Sequence, residues 1–161
     1  MSRERMGAAG NSKMTLDELQ NAVGTVLGQS DWTLVSAQRI AGFADVTEDW
    51  QEIHLDDGAG RAAGFDGAVA HGFLSLSLLS KMSYEALPQI SGQTASINYG
   101  FDRIRFLAPV PSGARVRATF VLREMTARDL RTLSLLLDVT MEIEGQSKPA
   151  LSALWRVMIV L

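Results

Sequence analysis

The 161 residues carry 15 Lys and Arg against 18 Asp and Glu, a formal charge of −3 at pH 7. No basic footprint is present, which disfavours nucleic acid as the main partner. The chain has no cysteine, so disulfides, thiol nucleophiles and cysteine metal sites are excluded; its 47% hydrophobic content is that of an ordinary soluble domain.

Residues 1–13 are polar, glycine-bearing and without period, and they read as a disordered leader or a remnant of expression. Residues 14–161 suit a single domain. No apolar run approaches the ~20 residues of a membrane span, and the leader lacks an apolar signal region, so a cytoplasmic location is expected. Thr15 and Glu18 make a capping-box pattern, with Met14 and Leu19 at the staple positions. The spacing of Leu16, Leu19, Val23 and Val26 predicts a helix stopped near Gly28. Asp31–Val35 reads as a short edge strand. Ser36 is placed to cap a helix in which Ile40, Phe43 and Ala44 share a face and which ends near Asp45 or Thr47.

From Thr47 to Gly67 the chain is acidic, glycine-rich and weakly periodic, with a helical turn expected only near Arg61–Ala63. A long irregular segment in a compact domain is usually functional or disordered. Apolar residues then lie on every side from Val69 to Tyr84, broken only by His71, Ser75, Ser77 and Ser80, and Pro88 closes the run. Such a helix is expected to be buried all round. Alternating strands follow. Ala95, Ile97, Tyr99 and Phe101 give way to Ile104 and Phe106 on the opposite parity, which predicts a bulge near Asp102 and Arg103. Val116 to Leu122, Leu133 to Ile143 and Leu151 to Ile159 alternate regularly. Helices first and an antiparallel meander after define an α+β chain.

The chemistry concentrates between Phe43 and Met82, which hold both histidines of the chain, His54 and His71. Asp49 and His54 stand five apart, and on one helix they would diverge; a loop or helix end brings them to one point. An acid, an imidazole and a glycine-marked helix start at Gly72 are the parts needed to move protons beside a carbonyl. Plainer readings exist for each. Asp49 and His54 alone also fit a solvated loop acid and a surface histidine. Gly72 fits close packing, and His71 reads as structural, packing or capping beside the site. A metal held by Asp49, His54 and Asp56 matches no standard ligand spacing, and none is expected.

The pattern F-A-x-x-T-x-D-x-Q-x-I-H-x-D from Phe43, then His71-Gly72-Phe73-Leu74, resembles the MaoC-like dehydratase family, the hydratase-2 branch of hotdog-fold proteins. Within it the chain is most similar to the nodulation-protein-N-like group. The likeness continues through NYGFDRIRFLAPVPSGARVR (98–117) and KPALSALW (148–155). Where the family commonly reads G-D-x-N-P-I-H, this chain reads Glu48-Asp49-Trp50-Gln51-Glu52-Ile53-His54. Asp and His keep their spacing, but Gln replaces Asn and Glu replaces Pro.

The resemblance implies a hotdog fold, with an antiparallel sheet wrapped around a central helix. It further implies a homodimeric (R)-specific enoyl-CoA hydratase that works without a cofactor on a coenzyme A thioester. It makes Asp49 and His54 the catalytic pair and Gly72 the oxyanion residue, with Ser80 supporting the Asp and Gln51 standing in for the Asn. One or two of Arg103, Arg105, Arg115, Arg117 and Arg123 would meet the carrier's phosphates, although most of them read as one solvated strand face. A hotdog acyl-CoA thioesterase and a non-catalytic acyl-CoA-binding or partner subunit remain the alternatives. Retention of both Asp49 and His54 counts against the second.

Overall fold

The computed structural model describes residues 12–161. The elements run β1 (Lys13–Met14), α1 (Leu16–Asn21), β2 (Val26–Gln29), β3 (Thr33–Leu34), α2 (Ala37–Thr47), α3 (Glu52–Leu55), α4 (Asp57–Ala62), α5 (Gly72–Ala86), β4 (Gln89–Ile90), β5 (Ala95–Phe106), β6 (Arg115–Ala127), β7 (Thr132–Ile143) and β8 (Leu151–Val160). Of the expected leader, residues 1–11 lie outside the described residues. Lys13 belongs to the fold instead, pairing in parallel with Gln89.

The main sheet orders its strands β2-β6-β7-β8-β5, with β3 also paired to β6. Only β6, β7 and β8 form a meander; β5 crosses over to pair antiparallel with β8 and stands at the edge. The alternation read from the sequence holds along the meander. Phe120, Leu122, Leu137, Val139, Met141, Leu151 and Ala153 are fully buried on one face. The opposite face is charged, and cross-strand pairs stitch β6 to β7: Arg115 with Glu144, Arg117 with Glu142 at 3.1 Å, and Arg123 with Asp138 at 2.7 Å.

On the inner face lies α5. Its buried residues Leu74, Ser75, Leu78, Leu79, Met82 and Ser83 recur every three to four positions, one stripe packed into the sheet's core. Truncating a leucine there to alanine costs roughly 2–5 kcal/mol. The helix is not buried all round, as the apolar run suggested, because Phe73 and Tyr84 are 66% and 58% exposed. The first half of β5 turns Ser96 and Asn98 toward α5, and its apolar Ile97, paired with the outward Met158, and Tyr99 are more than half exposed. Two register shifts, at Asn98/Gly100 and at Phe101/Arg103, bring Phe101 back onto Trp155, with ring centroids 5.8 Å apart. The second shift is the bulge expected near Asp102.

Two other expectations change. The first helix starts as read: the Thr15 side chain accepts from the Glu18 N–H, and Thr15 N–H and O–H both donate to the Glu18 carboxylate, holding it below the usual carboxylate range. It stops at Asn21, however, and the chain turns at Gly24 (φ +90°) into β2. Gly28 is therefore a strand residue. A Cβ there would lie 1.9 Å from the Ala86 carbonyl oxygen, so glycine lets β2 cross the end of α5. The acidic segment after Thr47 is also more ordered than its weak periodicity suggested, folding into α3 and α4. The Asp56 side chain caps α4 by accepting from the Ala59 N–H at 2.7 Å.

Candidate active site

Each site residue is delivered by a helix end. The Ser36 side chain caps α2 by accepting from the Arg39 N–H. At its other end the helix stops on Glu48, whose φ of +59° is left-handed, and the Asp49 N–H donates back to the Ala44 carbonyl at 3.2 Å. That sharp exit puts Asp49 outside α2, with its carboxylate side exposed. Trp50, Gln51 and the short helix α3 then return the chain, so that His54 faces the same point. Gln51 sits at the N-cap of α3. Its side chain makes no capping bond, and its carbonyl accepts from the His54 N–H.

Val69 locks this arrangement. Its N–H donates to the Ile53 carbonyl at 3.1 Å, and its own carbonyl lies 2.7 Å from His54 Nδ1. A carbonyl only accepts, so Nδ1 carries the proton and neutral His54 keeps its lone pair on Nε2. The adjacent Ala70 N–H donates to Val110 at 2.8 Å, tying the strand-like lead-in of α5 to the loop after β5. His71 follows, 2% exposed, and stacks on His54 with ring centroids 3.8 Å apart and planes 29° apart. Its Nε2 lies 3.0 Å from the Asp49 carbonyl. His71 therefore packs beside the site, as expected, although it makes no side-chain cap of α5.

One polar atom each of Asp49, His54 and His71 falls within 4.8 Å of the other two. That closeness alone would suit a metal ion, but the ring geometry opposes it. Imidazole lone pairs lie in the ring plane, and two stacked, nearly parallel rings aim theirs side by side rather than at one centre. One nitrogen of each ring is also committed to a main-chain carbonyl.

Beside the pair, Gly72 opens α5. The first-turn amides of a helix have no intrahelical acceptor and carry the positive end of its dipole, so this N–H is a donor in search of an anionic oxygen. A cavity of about 310 Å³ lies here, lined by His54, Val69, Gly72, Ser75 and Phe106 among others. A Cβ on Gly72 would sit 3.2 Å from the Phe106 ring, so glycine leaves room between helix and ring. Phe106 and the buried Ser75 were not singled out in the sequence. Phe106 lay within the matching stretch 98–117, and Ser75 had no signal beyond being polar in an apolar run.

The remaining expected residues are elsewhere. Ser80 is eight residues beyond Gly72, roughly 12 Å along the helix; its hydroxyl accepts from the Asn98 amide at 3.2 Å. Of the five arginines, Arg115, Arg117 and Arg123 are held in the cross-strand pairs on the outer face. Glu144, first by hydrogen bonding and then by its charge, raises the Arg115 guanidinium above its ordinary value. Arg103 and Arg105 lie on the edge strand β5, where Arg105 Nη1 donates to its neighbour's carbonyl. A second cavity, of about 320 Å³, lies at the other end of α5, walled by Leu19, Ser83, Tyr84, Leu137 and Trp155 among others.

An antiparallel sheet folded over one central helix is the hotdog architecture, and here an acid and an imidazole meet at that helix's N-terminus. The chain belongs to the MaoC-like domain family, which it matches over residues 18–141. It is 44% identical over 144 residues to nodulation protein N of Rhizobium meliloti, with 89% of each chain covered. It is 39% identical over 133 residues to 3-hydroxyacyl-thioester dehydratase Z of Mycobacterium tuberculosis, covering 83% of this chain and 87% of that one. Among solved structures, an R-hydratase of Pseudomonas aeruginosa superposes with a TM-score of 0.68 at 21% identity, covering 86% and 81% of the two chains. The family match and the dehydratase relative support a hydratase or dehydratase, and the solved structure shows the shared fold. Among the described residues, no helix is long and apolar enough to cross a membrane.

Proposed function

We propose that the protein adds water reversibly to trans-2-enoyl-CoA, giving (R)-3-hydroxyacyl-CoA, without a cofactor. The observation that carries this is the convergence of the Asp49 carboxylate and His54 on the N-terminus of α5, with the His54 lone pair assigned to Nε2.

A water between the Asp49 carboxylate and His54 Nε2 gives a proton to the pair as its oxygen bonds to Cβ. The electrons of the Cα=Cβ bond pass toward the thioester oxygen. The Gly72 N–H and the helix dipole stabilise the charge that develops there. The pair then returns a proton to Cα, so one water is consumed and the enzyme is unchanged. Asp49 and His54 act as a unit, since both groups hold the same water. The thioester lies against Gly72 because that residue has no Cβ, and Phe106 covers it from the other side.

β5 is an edge strand with exposed apolar side chains on both sides, Phe73 and Tyr84 of α5 on the inner side and Ile97 and Tyr99 of β5 itself, which supports a homodimer formed along that edge. Arg103 and Arg105, on the same strand and clear of the outer-face pairs, are the two of the five arginines best placed for the carrier's phosphates.

The deciding experiment is hydration of crotonyl-CoA, with the product passed to an (R)- or an (S)-specific 3-hydroxyacyl-CoA dehydrogenase. Turnover with oxidation by the (R)-specific enzyme alone is expected. No hydration, or an (S) product, overturns the reading.

A further inference from the structure

We propose that His71 is a positioning residue for the Asp49–His54 pair: it touches no reacting atom but sets the distance and orientation of both groups. The proposal rests on the hydratase reading for its kinetic consequence and on geometry alone for its placement.

His71 is built into the core in a way that filling space does not explain. The ring is 2% exposed, with Phe43 of α2 packed at 5.0 Å on one side and His54 of α3 stacked at 3.8 Å on another. Its Nδ1 is buried without a hydrogen-bond partner among the described residues. A buried polar atom left unpaired is unfavourable, and an apolar ring of similar size would avoid it. The other nitrogen supplies the reason for a histidine. Nε2 lies 3.0 Å from the main-chain carbonyl of Asp49, and an imidazole nitrogen meeting a carbonyl must be the one that bears the proton.

One side chain therefore holds the backbone of the acid by a hydrogen bond and the ring of the base by stacking. It stands at the N-cap of the helix whose first amide faces the same point. Asp49 needs such a tie. It follows a left-handed Glu48 at an exposed helix exit, and its own N–H reaches back only to Ala44. His54 is restrained by Val69 at Nδ1, a single bond about which the ring can still swing; the stacked His71 ring removes that freedom.

The test separates the two contacts. His71→Phe keeps a ring for His54 to stack on and loses the donor to Asp49. His71→Gln keeps an N–H donor at about the reach of Nε2 and loses the stack. Each is measured for kcat and KM on crotonyl-CoA below its melting temperature. Each is also examined by NMR with 15N-labelled histidine. The chain has only two histidines, so both variants leave His54 as the sole imidazole signal and its assignment is certain.

Both variants are expected to lose about 10- to 100-fold in kcat, the scale of a misplaced reacting group, with KM changed less than about threefold. The His54 Nδ1–H resonance, slow to exchange in the wild type through its bond to Val69, should exchange faster in His71→Gln than in His71→Phe. A kcat within about twofold of wild type in both variants overturns the proposal. So does a loss confined to KM while the His54 resonance is unchanged. Should the wild type not hydrate crotonyl-CoA at all, the hydratase reading falls separately. The His54 resonance alone then decides the placement, upheld if it changes in His71→Gln and overturned if it does not.

Discussion

The two ends of α5 open on cavities of nearly equal size, about 310 Å³ at Gly72 and about 320 Å³ around Ser83 and Tyr84, yet they are made for different chemistry. At the N-terminal end a glycine opens the helix, two imidazoles stack, a carboxylate emerges from a left-handed turn, and main-chain carbonyls hold ring nitrogens. The C-terminal end is walled by aliphatic and aromatic side chains together with neutral polar ones, Ser83, Gln89, Gln93 and Ser96, with no acid or imidazole among the described lining residues. The helix itself imposes part of this difference. Its first turn presents amide donors and the positive end of the dipole, its last turn presents carbonyls, and only the former suits a developing oxyanion. Cavity volume therefore says little about where a reaction occurs. Donors and proton carriers convergent on one point say more.

The sharpest way to break the contrast is at the pair. Asp49→Asn and His54→Ala should each lower crotonyl-CoA hydration by at least ~10²-fold, the usual contribution of a positioned acid or base. The double variant should be little worse than either, because both act on one water. Steady-state kinetics of the three variants decides this. Fully additive losses, or near-normal activity in His54→Ala, would show that the N-terminal end is not a joint site.

Gly72→Ala comes next. The added methyl meets the Phe106 ring at 3.2 Å, and that ring is 49% exposed and free to yield. Turnover should fall by at least about 10-fold as the methyl and displaced ring occupy the thioester's place. Melting should barely change, since alanine is the better helix former by roughly 0.5–1 kcal/mol. Full activity with a lowered Tm would mean that the glycine serves packing alone.

At the opposite end, Ser83→Leu puts an apolar side chain into the second cavity. Crotonyl-CoA turnover should stay within about twofold of wild type. The Tm should hold or rise by a few degrees, since filling a cavity contributes roughly 0.5–2 kcal/mol. A collapse of turnover on this four-carbon substrate would show that the two ends work as one site.

The smallest effect is expected at Glu48. A non-glycine residue in left-handed backbone is strained by roughly 1–2 kcal/mol, against which glycine loses about 0.5–1 kcal/mol in chain entropy. Glu48→Gly should therefore raise the Tm by about 2–4 °C and leave kcat unchanged. A lower Tm would mean that the Glu48 side chain offsets its own backbone strain.

Much of the molecule was legible because the relevant signals are local. The capping box at Thr15, the cap at Ser36 and the alternation of β6 to β8 each depend on residues within a few positions of one another, and all three are present. The Asp49–His54 spacing was legible as a candidate for the same reason. Glu48 stands where the family pattern has glycine, and its left-handed φ is the physical reason that a glycine suits the position.

Three things were not legible. The first helix stopped at Asn21, although its apolar stripe ran on, because β2 had a strand partner in β6. Its Gly28 served a close crossing with Ala86 and not a helix stop. In the segment after Thr47, α3 is held by Val69, fifteen residues beyond His54, and Asp57 of α4 accepts from the Ala68 N–H, bonds that no local pattern announces. The all-round apolar character of α5 marked two kinds of surface at once, a core stripe and an exposed strip with Phe73 and Tyr84.

By itself, then, the sequence determined which residues could do the chemistry and the secondary structure of the elements that carry most of them. Periodicity, caps and side-chain pKa ranges are properties of neighbours along the chain. Only the tertiary structure decided that His54 keeps its lone pair on Nε2, that His71 joins acid to imidazole, that Ser80 meets the Asn98 amide of β5, and that three of five arginines are bound to acids on the outer face. Each of these follows from contacts between residues far apart in sequence, whose distances are set when the sheet closes over α5.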